Sequence, residues 1–404
     1  MVSGNCGAGG PDRRGRARLI TPPRGPGPMD LGELVELPMA SSYRGSLAKG
    51  CEECKEGRKM VLFVSGLCRF RCFYCPVSPN RNQRDVTYAN ERLVHADADI
   101  LEEARAMGAT GTGITGGDPL GVIDRTEHYV RLLRGEFGAS HHLHLYTHEP
   151  NPEKLRRLAA AGLDEVRLHI PHYLWGSLTG AGDAYRKVLE QAPSWGLRRG
   201  VEIPVLPEKE AELRRLLTTL SAMGVEFVNL NELEYSETNA TQLDDRGYRV
   251  APGTGWGVDG SRAVAERIVR ELRLPMPIHY CSSRFKDGVQ LRQRLLRRAE
   301  RTGPPYAEFT DEGTLVYGIV EVPPGRDLDR AARAIARIVR VRRPAYRVDP
   351  RRRRVELPSG ELRRVADRIA FPAFEVEEYP TADALEVERE PLNAAAFPRT
   401  DGGV

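Results

Sequence analysis

From residue 60 onward the chain repeats one unit, a short apolar run followed by an amphipathic stretch, and this alternation constrains the fold more than any other feature of the sequence. Strand, helix, strand in that rhythm is the pattern of βαβ units wound into a parallel sheet. Six strands are read, Val61 to Ser65, Gly111 to Thr115, His142 to Thr147, Glu165 to Ile170, Gly200 to Val205 and Glu226 to Asn231, with helical stretches such as 98 to 107 and 152 to 161 between them. The expected fold class is therefore α/β, a partial or full parallel (β/α) barrel whose site lies at the C-terminal ends of the strands.

The period of two within these strands says what the interior holds. Leu143, Leu145, Val166, Leu168, Ile170, Val201, Ile203, Val228 and Leu230 form an apolar set suited to face the helices. Their alternates are His142, His144, Tyr146, Arg167, His169, Glu202, Asn229 and Asn231, too polar to fill a hydrophobic barrel. The interior is expected to be a ligand cavity. His144, Tyr146 and Arg167 are acid or base candidates on that ground alone, and no catalytic residue is fixed by the sequence.

At 404 residues the chain has room for one large domain and a smaller one. Residues 1–30, dense in Gly, Pro and Arg, are expected not to fold, and Met29 is an alternative start to Met1. The barrel is expected over 31–304. From 305 to 390 the order becomes strand (Thr314 to Val322), helix (Leu328 to Arg340), a hairpin turning near Asp349 and Pro350, helix (Glu361 to Ile369) and strand (Phe374 to Tyr379). That βαββαβ order suggests a small ferredoxin-like α+β domain, followed by a loose tail over 391–404. No apolar run reaches membrane-spanning length and no secretory segment is visible, so a cytoplasmic, membrane-free protein is expected. A net charge of +4 does not by itself imply nucleic acid.

Five of the seven cysteines, Cys51, Cys54, Cys68, Cys72 and Cys75, crowd into one stretch, while Cys6 and Cys281 stand apart, and metal ligation fits this better than disulfides. The segment MVLFVSGLCRFRCFYCPVSPNR spaces Cys68, Cys72 and Cys75 as C-x3-C-x2-C directly after a strand. Thiolates so spaced suit iron–sulfur or zinc, and three ligands from one loop leave a metal position open. This motif resembles the radical SAM superfamily, in which an aromatic residue precedes the third cysteine as Tyr74 does here. A second motif, GITGGDPL at the end of the second strand, is similar to the family's GGEP element, with Asp118 in place of the usual Glu.

The resemblance spans about residues 58 to 240 and is most like the pyruvate formate-lyase activating enzyme branch. It implies a 4Fe-4S cluster on Cys68, Cys72 and Cys75 whose open iron is chelated by S-adenosylmethionine, and reductive cleavage of that cofactor to a 5'-deoxyadenosyl radical that abstracts hydrogen from a substrate. It implies too that Gly116, Gly117, Asp118 and Pro119 receive the methionyl amino group and that Tyr74 packs near the adenine. The inward His169 and Glu202 are offered for the ribose hydroxyls and the carboxylate. A reductant protein such as ferredoxin or flavodoxin is expected, and the substrate is open among protein, RNA and small molecule.

Two further readings complete the sequence. Cys51 and Cys54 in GCEECKEG, with Cys281 and His279 in PIHYCSSRFKD, are candidates for a second metal site, either zinc or an auxiliary iron–sulfur cluster. The basic stretch RIVRVRRPAYRVDPRRRRVELPSGELRR, with Tyr346, leaves an RNA-binding role open, either for an RNA- or protein-modifying enzyme or for a non-catalytic metal-binding scaffold.

Overall fold

The computed structural model describes residues 32–253 and 255–397. Cys6 and the choice between Met1 and Met29 lie outside the described residues. Seven parallel strands, β1 (Lys59–Phe63), β2 (Gly111–Thr115), β3 (His142–Thr147), β4 (Glu165–Leu168), β5 (Arg198–Val205), β6 (Phe227–Glu232) and β7 (Ile278–Cys281), pair each with the next in sequence order. The sheet does not close. Ser42–Arg44 and Leu34–Glu36 extend it in antiparallel fashion beyond β7, and Tyr88–Ala89 and Arg92–Leu93 do the same beyond β1, so the architecture is a partial barrel.

The apolar set read from the period of two is buried as one core against the helices. Helix α4 (Pro152–Ala161) shows how the sequence makes such a crossover: Asn151 accepts from the Lys154 N–H, Pro152 pre-sets the first turn, and Gly162 ends it at φ 111°. Leu155, Leu158 and Ala161 then turn inward on one stripe. Helices α2 (Asp97–Met107), α3 (Ile123–Phe137), α5 (Asp183–Gln191), α6 (Glu210–Ala222) and α7 (Ser261–Glu271) cover the remaining crossovers.

One helix occupies a place that periodicity does not foretell. α1 (Lys49–Lys55) packs on the polar inner side of the sheet: a Cβ added at Gly50 would stand 2.5 Å from His144 Cε1 and 2.9 Å from the Arg167 guanidinium. It floors the barrel and aims Cys51 inward, where the Sγ receives bonds from Asn229 (3.1 Å) and Arg167 (3.4 Å).

The C-terminal sheet is built of β8 (Leu315–Glu321), β9 (Arg347–Asp349), β10 (Arg354–Leu357), β11 (Ala373–Glu378) and β12 (Glu386–Pro391), ordered β9-β10-β8-β11-β12, with the short strand Glu308–Phe309 also paired to β8, and it is antiparallel throughout. Helix α9 (Leu328–Val339) buries Ala331, Ala332, Ile335 and Val339 against it, as expected for a ferredoxin-like βαββαβ. Two details correct the expectation. The helix read over Glu361 to Ile369 is a short α-helix, Ser359–Arg363, followed by a separate 3-10 turn at Ala366–Arg368. The segment before Pro391 is an edge strand, missed because its residues alternate charge instead of hydrophobicity and remain largely exposed.

Part of the basic stretch is taken up by this sheet. Arg354 bonds Glu356, Glu378, Glu386 and the Tyr317 hydroxyl, Arg352 pairs with Glu378, Arg347 with Glu356, and Arg363 with Glu375 and Glu390. Acidic residues that follow the arginines in sequence are the partners of these four, whereas Arg337, Arg340, Arg342 and Arg351 are exposed and no carboxylate pairs with them among the described residues.

Candidate functional site

One cavity of about 980 Å³ opens at the C-terminal ends of the strands and reaches down to α1. The loop after β1 forms its rim and presents Cys68, Cys72 and Cys75, all partly buried free thiols. The loop is clamped to the end of β2 by backbone: Gly117 N–H donates to Ser65 O (2.7 Å), Asp118 N–H to Leu67 O (3.1 Å) and Gly66 N–H to Arg84 O (2.8 Å). Such apposition explains the paired glycines. A Cβ at Gly116 would lie 2.5 Å from Ser65 O, and one at Gly117 would lie 2.5 Å from Leu67 O and 2.8 Å from Cys68 Cβ.

Gly116 and Gly117 line the cavity, whereas Asp118 and Pro119 do not. The Asp118 carboxylate is buried and accepts from Leu120 N, Thr147 Oγ1, His148 N and Glu149 N, so its four bonds fasten the end of β3 to the end of β2. The acid of the motif is thus engaged with the chain's own backbone and Thr147. Pro119 opens the 3-10 turn behind it.

Tyr74 is buried beside this rim, its hydroxyl 2.8 Å from His169 Nε2 and its carbonyl accepting from Asn239. Burial lowers the His169 imidazole to about 3, leaving it neutral at physiological pH. Deeper in, Glu202 accepts from Arg167 (2.9 Å), Asn229 (2.8 Å) and Asn231 (3.0 Å). Burial alone would raise the Glu202 carboxyl, but Arg167 and the two amides outweigh it and hold it below its ordinary value. Tyr146 lines the wall with these groups, while His144 is buried beneath it.

Cys51, Cys54, His279 and Cys281 meet on the opposite wall of the same cavity. The Asn229 amide stands between Cys51 and His279, with its Oδ1 3.3 Å from His279 Nδ1, and the Gln290 amide stands between Cys54 (2.9 Å) and Cys281 (3.4 Å). Burial would raise the Cys51 thiol, yet Arg167, His279 and Lys59 together lower it to about 7, whereas Cys54 and Cys281 are raised by burial. The sequence reading missed Lys59, His148, Gln290 and Lys286 in this wall. The strand phase would have found Lys59, since it shares a face with Val61; nothing in the period of a loop or a helix start would have found the others.

The residues fit the groups that such a fold holds. Three partly buried thiols from one loop suit a cluster with an open position, and a cavity of this volume lined by neutral, anionic and backbone acceptors suits a polar nucleoside ligand. Among the described residues no helix is long and apolar enough to cross a membrane.

Comparison with known proteins agrees with this geometry. Residues 62–220 match the model of the radical SAM superfamily, and residues 313–392 match a domain of unknown function. A protein of Methanocaldococcus jannaschii, provisionally named a glycyl-radical enzyme activating enzyme, is 37% identical over 357 residues, covering 86% of this chain and 93% of its own. Streptococcus suis SuiB bound to S-adenosylmethionine aligns at 12% identity over 63% of this chain and 54% of its own, with a TM-score of 0.38. A spore photoproduct lyase variant aligns at 12% identity over 50% of this chain and 72% of its own, with a TM-score of 0.34. Scores this low carry no argument about this chain.

Proposed function

The chain belongs to the radical SAM superfamily and is a radical SAM enzyme, and from that premise we propose that it cleaves S-adenosylmethionine reductively at a 4Fe-4S cluster to begin hydrogen abstraction from a protein substrate. The observation that carries this reading is the convergence of Cys68, Cys72 and Cys75 with Gly116 and Gly117 on one cavity rim. The three thiolates would hold the cluster, the backbone at Gly116 and Gly117 would receive the methionyl amino group, Tyr74 would border the adenine, and His169 and Glu202 would take the ribose hydroxyls and carboxylate. When bound, cluster and cofactor together supply a 5'-deoxyadenosyl radical able to break an inert C–H bond.

The chain's own residues orient and shield. The bond between Tyr74 and His169 fixes both rings, and a neutral His169 serves as a hydrogen-bond partner without giving up a proton at neutral pH. Glu202, kept anionic by Arg167, Asn229 and Asn231, is an acceptor already arranged for hydroxyl donors. Enclosure by the barrel wall excludes water from the reacting centre.

A protein substrate and a small redox protein such as ferredoxin or flavodoxin as electron donor are the partners this reading favours, in keeping with the relative's provisional name. The proposal includes a second metal centre on Cys51, Cys54, Cys281 and His279; three thiolates and an imidazole suit zinc or an iron–sulfur cluster, and iron above four per chain distinguishes them.

The test is anaerobic incubation of reconstituted, dithionite-reduced protein with S-adenosylmethionine, following 5'-deoxyadenosine beside a Cys72→Ala control. Nucleoside from the wild type and none from the control is expected. A fully reduced cluster that releases none, with candidate protein substrate present, overturns the proposal.

A further inference from the structure

Beneath the cavity, on the N-terminal half of the barrel, lies a buried group of donors that the proposed chemistry does not use. His142 and His144 stand two apart on β3 and so share its inner face, and Glu165 pairs with His144 in register on β4. One donor atom from each of the three lies within 4.8 Å of the others, and His142 Nε2 is 3.8 Å from Glu165 Oε2. All three side chains are shut off from solvent or nearly so, at 9%, 0% and 0% exposure.

His142 Nε2, His144 Nδ1 and Glu165 Oε2 have no hydrogen-bond partner among the described residues. Buried polar atoms are nearly always satisfied, so three left free in one place point to a ligand between them. The other side of His144 and of Glu165 is engaged, while His142 Nδ1 and the Glu53 Oε2 nearest it are themselves without a hydrogen-bond partner among the described residues. His142 Nδ1 faces Glu53 Oε2 at 3.9 Å, His144 Nε2 is 3.3 Å from the Tyr146 hydroxyl, and Glu165 Oε1 is held by Arg167 Nε at 2.7 Å. For His144 and Glu165 this is the arrangement of a metal ligand and its supporting partner: an inward atom left free, an outward atom steadied by a hydroxyl or a guanidinium.

We propose that His142, His144 and Glu165 bind a divalent transition-metal ion, zinc by donor chemistry, at the floor of the barrel, separate from the cysteine sites. Two imidazoles and a carboxylate form a nitrogen and oxygen set suited to zinc, with water as the fourth ligand. Ligand atoms around a tetrahedral zinc lie roughly 3.3 Å apart, so small side-chain rotations close the present spacing. Because Glu165 also holds Arg167, and Arg167 holds Glu202, the ion would steady the wall of the cavity above it. The site does not depend on the radical reading.

The test is zinc content and zinc K-edge absorption of the full chain with Cys51, Cys54 and Cys281 replaced by Ser, after dialysis against a weak chelator. One zinc per chain with only nitrogen and oxygen neighbours is expected, falling at least tenfold in His142→Gln. In Tyr146→Phe, which leaves every ligand in place and removes the hydroxyl beside His144 Nε2, zinc affinity should fall ten- to a hundredfold. Absence of zinc from a folded triple variant, or zinc unchanged in His142→Gln, overturns the site. Should the triple variant fail to fold, the wild type decides: an absorption edge fitted only by sulfur with one nitrogen, or no edge at all, overturns it equally.

Discussion

At the scale of single residues, the paired glycines and one histidine offer the sharpest tests. Gly117→Ala drives a methyl into the backbone that carries Cys68, whereas a Cβ at Gly121, four residues on, meets nothing within 4 Å. Iron retained after reconstitution should drop by more than half in Gly117→Ala and stay at the wild-type level in Gly121→Ala. His141 is buried against the Thr112 hydroxyl (2.8 Å), and burial first, with Arg134 adding to it, lowers its imidazole from 6.5 to about 4. The folded state thus binds a proton less readily than the unfolded one. Its contribution is complete above pH 6.5 and lost as pH falls from 6.5 toward 4, amounting to about 3 kcal/mol across that window. In His141→Gln the fall in urea-unfolding free energy from pH 7 to pH 5 should be visibly smaller than in the wild type.

At the scale of elements, α1 is the piece on which the interior depends. It brings Gly50, Cys51, Glu53 and Cys54 to the inner side of the sheet, and Gly50 lets its backbone touch His144. Ala at position 50 would gain about 1 kcal/mol in helix propensity. The added methyl, however, would meet the His144 ring at 2.5 Å and the Arg167 guanidinium at 2.9 Å, and overpacking of this kind costs about 1–3 kcal/mol. Strain wins, because both neighbours are pinned by buried bonds. Gly50→Ala should lower stability by about 1–2 kcal/mol in urea titration and reduce metal bound through Cys51 and Cys54.

At the scale of the molecule, the barrel and the C-terminal sheet are joined through α8 (Arg292–Thr302). Arg298 on that helix donates to Glu103 of α2 (2.6 Å) and to the carbonyl of Pro380 beyond β11, and both ionised groups are buried. Removing one partner leaves the other charge stranded, at a cost of about 3–5 kcal/mol. Arg298→Ala should therefore unfold at markedly lower urea and expose the segment after β11 to limited proteolysis before the barrel is cut.

The sequence alone determined the layout wherever a period of two or 3.6 met a buried surface. β2, β3 and α4 fall at the residues read, and the inward register that placed Tyr146, Arg167, His169 and Glu202 in a cavity was legible because a one-residue slip would bury the wrong face. The cysteine loop was legible from spacing, since its ligands come from one short segment. What only the tertiary structure decided involves groups brought together from far apart. β7 is too short to show alternation, the edge strand β12 is too exposed to need apolar residues, and α1 enters the barrel instead of covering it. Among the arginines of the basic stretch, Arg347, Arg352, Arg354 and Arg363 are matched to acids of their own sheet, and the Asp118 carboxylate fastens the ends of two strands. His142, His144 and Glu165 become a candidate metal site only when parallel pairing sets β3 beside β4 and leaves their inward atoms unpartnered.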